Sequence, residues 1–105
     1  MTTTATPPTT TAADWPEDPL LACGRFLDEC QQTTGPNPRI GSSYLLKHIV
    51  EAAAGAYIDM AALLTAARQR GLPMRQRPGT PNWYLGLSTA SVEAFKARYG
   101  IEVVV

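Results

Sequence analysis

The chain has 105 residues, 45% of them hydrophobic and 17% charged, with nine Lys and Arg balanced by nine Asp and Glu. That size supports one domain, and no run of ~18 apolar residues offers a membrane span. The zero formal charge hides an asymmetry: residues 1–36 hold five acids and one base, and residues 37–105 hold eight bases and four acids, a balance that permits a local basic patch on the later part.

The opening segment, MTTTATPPTTTAADWPED, is rich in Thr, Pro and Ala. It has neither the basic start nor the apolar run of a secretory signal. Its apolar surface is too small to offset the entropy of ordering it. Residues 1–17 are therefore expected to be a disordered tail that adds nothing to the core, followed by a single domain over 18–105.

Asp18 followed by Pro19 is an N-cap with proline at the first helical position. Leu20, Cys23, Leu27 and Cys30 then recur at helical spacing, and Gly35, Pro36 and Pro38 stop the pattern. A first helix is predicted over about 19–32. Its two cysteines, the only ones in the chain, stand ~10 Å apart along the axis. That is too far for a disulfide within the chain, and a single histidine leaves a zinc site short of ligands. Both are expected to be reduced core residues in a cytoplasmic protein without metal or cofactor.

A second helix is predicted over about 43–54, started by Ser42 or Ser43 and stopped by Gly55. Leu45, Leu46, Ile49, Val50 and Ala53 take one side, and Tyr44, Lys47, His48 and Glu51 the other. A third, about 60–70, begins at Asp59 and ends at Gly71. It buries Met60, Leu63, Leu64 and Ala67 and leaves Ala61, Ala62, Thr65, Arg68 and Gln69 outside. The short link between these helices implies a sharp helix-turn-helix pairing.

Pro73–Arg77 and Asn82–Leu87 flank a Pro-Gly turn and read as two strands of a hairpin. Trp83 and Tyr84 face opposite ways on such a strand: one is expected in the core, the other as a half-exposed anchor. A fourth helix starts at Ser88 or Thr89, stops at Gly100 and carries a Val92, Phe95 and Tyr99 stripe. IEVVV reads as a C-terminal strand beside the hairpin. The expected fold is α+β: a small, mostly helical domain with a hairpin and C-terminal strand, in winged-helix-like order.

No Gly-rich phosphate loop, metal cluster or paired carboxylates mark an enzyme. His48, the one imidazole, has no nucleophile and third group arranged around it in sequence. Arg68, Arg70, Arg75 and Arg77 crowd into ten residues, and nothing acidic lies between Met60 and Ala90. Guanidinium forks suit phosphates and base edges. The predicted binding surface is Thr65, Arg68, Gln69, Arg70, Arg75, Arg77 and Tyr84, with Tyr44, Lys47, His48 and Glu51 as a secondary surface cluster.

The stretch SYLLKHIVEAAAGAYID supplies Ser43, Tyr44, Leu46, Lys47, His48, Glu51, Gly55 and Tyr57. It resembles a Ser-Tyr-x-Leu-Lys-His-x-x-Glu pattern in small uncharacterised proteins of phages and mobile elements. The resemblance spans about 43–87 and brings no catalytic residues. It implies a mobile-element context: a replication accessory, a regulator or an inhibitor of host defence. The expected function is non-enzymatic binding of nucleic acid. The alternative is an anti-CRISPR-like inhibitor that binds a host nucleoprotein or protein complex through the same surface, or through an acidic one at Asp28 and Glu29.

Overall fold

Each helix begins where a short polar side chain caps it. The Asp18 carboxylate accepts from the Leu20 amide at 2.8 Å, Ser42 Oγ from Tyr44 at 3.3 Å, Asp59 from Ala62 at 2.8 Å and Ser88 Oγ from Ser91 at 3.1 Å. These side chains satisfy amides that a helix start leaves without partners. The computed structural model, which describes residues 15–102, accordingly has α1 (Pro19–Glu29), α2 (Ser43–Ala54), α3 (Met60–Gln69) and α4 (Thr89–Tyr99). Between α3 and α4 run β1 (Met74–Gln76) and β2 (Trp83–Leu85), an antiparallel hairpin, and a 3-10 turn covers Pro38–Ile40. The architecture is α+β. The expectations for residues 1–14 and 103–105 lie outside the described residues. Among the described residues, no helix is long and apolar enough to cross a membrane.

α3 packs chiefly on α1 and less on α2, and the sheet rests on α2 through β2. Phe26, Leu46, Ile49, Val50, Leu63, Leu85, Leu87, Val92 and Phe95 form the centre of one core. The predicted stripes of α2 and α3 lie largely within it, and so does that of α4. Leu45 and Met60 are half-buried at its margin.

Three expectations need correction. The domain does not start at Asp18. Trp15 is 4% exposed, with its ring edge-on to Phe95 and Tyr99 at 5.8 and 5.4 Å and the Arg25 guanidinium 4.3 Å from its centroid. A single aromatic can anchor a segment whose composition otherwise predicts disorder, because its large apolar area offsets the ordering of a few neighbours.

The first helix stops at Glu29, with Cys30 as an extended C-cap, because the next residues pair with 85–88 at and beyond the end of β2 instead. The Thr33 amide donates to the Gly86 carbonyl at 2.9 Å, Asn37 to Leu85 at 3.1 Å, and Ser88 to Gln31 at 2.8 Å. Residues 31–37 thus lie along 85–88, on the side of the hairpin away from β1. Ile101 ends α4 rather than beginning a strand. Its amide donates to the Lys96 carbonyl at 2.8 Å across left-handed Gly100, and its side chain is buried, the closure of a Schellman motif.

Both cysteines are free thiols. Burial pushes Cys23 up to about 12 and Cys30 up to about 11, so neither is a nucleophile at neutral pH.

Candidate nucleic-acid interface

α3 buries Leu63, Leu64, Ala66 and Ala67. Ala61, Thr65, Arg68 and Gln69 are left exposed, the outer face read from the sequence, while Ala62 is half-buried against the core. Arg68 does not extend freely from it. Its guanidinium lies 5.7 Å from the centroid of the Trp83 ring, which bridges the helix to the hairpin.

The hairpin is built around Pro78 and Gly79. Gly79 has φ +76°, the left-handed conformation that the third position of a type II turn demands and that glycine adopts without strain. The turn is fastened by several bonds: the Thr80 amide and hydroxyl both donate to the Arg77 carbonyl, at 3.2 and 2.9 Å, and Gln76 Nε2 donates to the Thr80 carbonyl at 2.9 Å. The register sets Arg75 opposite Tyr84 and Gln76 opposite Trp83. Directly opposite residues share a face. The Arg75 guanidinium accordingly stands 5.4 Å from the Tyr84 centroid, and Trp83 occupies the other face. Both rings are half-buried, and Trp83 is the one of the pair that packs against the core. Trp83, absent from the predicted site, belongs to it through Arg68. The adjacent aromatic pair was the signal.

Arg70 does not belong to it. Its Nε and NH2 donate to the two Asp28 oxygens at 2.7 and 3.0 Å, and NH1 donates to the Ala66 carbonyl at 3.1 Å. The guanidinium lies across Gly24, where a Cβ would stand 2.5 Å from NH2. Arg70 is a clamp between α1 and α3. The same pairing holds Asp28 below the usual carboxylate range, against partial burial. Glu29 is likewise engaged by Arg25 at 3.0 Å, Arg98 at 2.6 Å and the Tyr99 hydroxyl at 2.9 Å. The predicted acidic surface on the first helix is therefore neutralised in place.

The secondary cluster is also tied inward. Lys47, 9% exposed, donates to Glu51 Oε2 at 3.0 Å, the Ile58 amide donates to the same oxygen at 3.0 Å, and His48 Nδ1 lies 2.9 Å from Oε1. Tyr44 stands edge-on to the His48 ring, and Lys47 Nζ sits 5.1 Å from the Tyr57 centroid. Ser43 is fully buried, and its hydroxyl accepts from the Trp83 amide at 2.9 Å. Ser43 thus ties α2 to β2, Glu51 gathers Lys47, His48 and the Ile58 amide, and Gly55 closes the helix in the left-handed conformation.

Five cationic side chains face carboxylates within ion-pair distance among the described residues, Arg25, Lys47, Arg70, Lys96 and Arg98, and the His48 ring faces Glu51. Arg39, Arg68, Arg75 and Arg77 have no carboxylate partner there. Three of these four stand at the end of α3 and on the hairpin. Comparison with protein-family models, curated proteins and solved structures found no match to this chain.

Proposed function

We propose that this protein is a non-enzymatic nucleic-acid-binding domain whose binding surface is the outer face of α3 together with the hairpin. One observation carries the reading: Arg68, Arg75 and Arg77 have no carboxylate partner among the described residues, and the first two stand over the half-buried Trp83 and Tyr84, whereas the α1 and α2 charges are held in ion pairs. Guanidinium groups without a carboxylate are available to phosphate, and release of the condensed counterions then drives association. Thr65 and Gln69 extend the surface along α3. Arg70 lies outside it.

The test is binding to nucleic acid as a function of salt, starting at ~50 mM, where the electrostatic contribution is strong. Wild type is expected to lose affinity linearly on a log–log plot. The double variant Arg75→Glu with Arg77→Glu touches no buried side chain. It should bind more weakly, with a slope flatter by about 0.7–0.9 for each phosphate it no longer neutralises. An absence of binding to any nucleic acid at ~50 mM salt rejects the reading.

A protein partner is the second reading, and one observation favours it: Leu21 is 61% exposed beside Pro16 and Leu20 in an open groove between α1 and the end of α3. Such an inhibitor would engage a complex that survives nuclease treatment, so a nuclease-resistant partner in a pull-down separates the two.

A further inference from the structure

A helix that reads a duplex groove presents its N-terminal residues to the base edges. α3 carries no cation there. Its first turn is Met60, Ala61 and Ala62 behind the Asp59 carboxylate, which repels phosphate. Arg68 lies in its last turn, next to Trp83. The cations therefore gather around two rings rather than along a helix that could enter a groove.

Those rings are placed as stacking surfaces. Trp83 and Tyr84 occupy opposite faces of a ribbon two strands wide. Each is half-buried and has a planar guanidinium over it, Arg68 at 5.7 Å and Arg75 at 5.4 Å. An aromatic face or a guanidinium plane accepts any base, provided the base is free to leave its own stack. Bases in a duplex offer only their edges. The bonds across Arg77, Thr80 and Asn82 hold the tip in one shape, which lowers the ordering cost of binding.

We propose that this surface takes single-stranded nucleic acid, with bases stacked on Trp83 and Tyr84 and on the guanidinium planes above them, and with phosphates held by Arg68, Arg75 and Arg77. The proposal rests on the nucleic-acid reading above and narrows its substrate class. A base either lies on the guanidinium or displaces it from the ring. In both cases the cation stays beside the flanking phosphate.

The experiment compares labelled ~12-nucleotide oligo-dT and oligo-rU with a ~12-base-pair duplex, a length in the range of single-strand site sizes, at ~50 mM salt. The single strands should bind at least about tenfold more tightly than the duplex and should quench tryptophan emission. Tyr84→Leu should weaken single-strand binding roughly five- to a hundredfold and duplex binding by a smaller factor, because a duplex offers no free base face to the ring. Trp83→Phe should keep the affinity and lose the quenching, because Trp15 is enclosed by Phe95, Tyr99 and Arg25. Trp83 also touches the core, so Tyr84→Leu supplies the decisive measurement if Trp83 variants are unstable. Duplex binding as tight as single-strand binding, or a Tyr84→Leu variant with unaltered affinity, overturns the stacking proposal while nucleic-acid binding stands. Failure to bind either form overturns both.

Discussion

At the scale of single residues, charge alone does not distinguish Arg70 from Arg75. Asp28 does, by accepting two bonds from one and none from the other. Glu51 shows the same logic inside the fold. Burial acts to raise its carboxyl, but the Ile58 amide, the Lys47 ammonium and, to a smaller degree, His48 outweigh it and hold Glu51 below its ordinary value of 4.5. A carboxyl depressed in the folded state contributes stability that is fully present above its unfolded value and is lost as pH falls through the folded one. Glu51→Gln should therefore cost about 1–2 kcal/mol at neutral pH, the worth of bonds to a charged acceptor. Its stability should also fall less steeply than wild type below about pH 4.5. Chemical denaturation at a series of pH values measures both, and coincident curves for the two proteins would show that the Glu51 cluster adds nothing.

At the scale of elements, the α1–α3 seam is a close approach of small residues sealed by one large one. Ala22, Cys23, Gly24, Ala66 and Ala67 are buried, and Arg70 crosses over Gly24 to reach Asp28. Arg70→Gln removes the bidentate pair and the bond to the Ala66 carbonyl but keeps part of the packing. A loss of about 1–2 kcal/mol is expected, with nucleic-acid affinity unchanged because Arg70 is outside the proposed surface. Gly24→Leu should cost more, since its branch needs the space the guanidinium fills. Denaturant midpoints and the binding assay together check this. A drop in affinity for Arg70→Gln with no loss of stability would return that residue to the interface.

At the scale of the molecule, Trp15 closes the fold by packing against α1 and α4. Its Nε1 has no hydrogen-bond partner among the described residues, so what it contributes is packing. Trp15→Ala should destabilise by about 3 kcal/mol, a fall of ~10–20 °C in melting temperature for a domain of this size. A chain beginning at residue 15 should melt like the full chain, and one beginning at residue 18 like Trp15→Ala. Equal melting of the two shortened chains would place Trp15 outside the cooperative unit.

The four helices, their caps and the hairpin turn were legible in the sequence because each depends on residues within about one turn of one another: Asp18, Ser42, Asp59 and Ser88 at the starts, Gly55 and Gly100 at the ends, Pro78-Gly79 between the strands. The α+β class and the crowding of arginines around the hairpin followed from the same local signals. Tertiary structure alone decided which arginines remain without carboxylates, which segment lies along 85–88, and whether Trp15 belongs to the core. Asp28 and Arg70 are 42 residues apart and share two hydrogen bonds, whereas Arg75, five positions further on, meets a ring instead. Local propensity assigns a residue to a helix end wherever its neighbours permit. A partner distant in sequence is selected by which faces the packed helices bring together, and no local pattern encodes that choice.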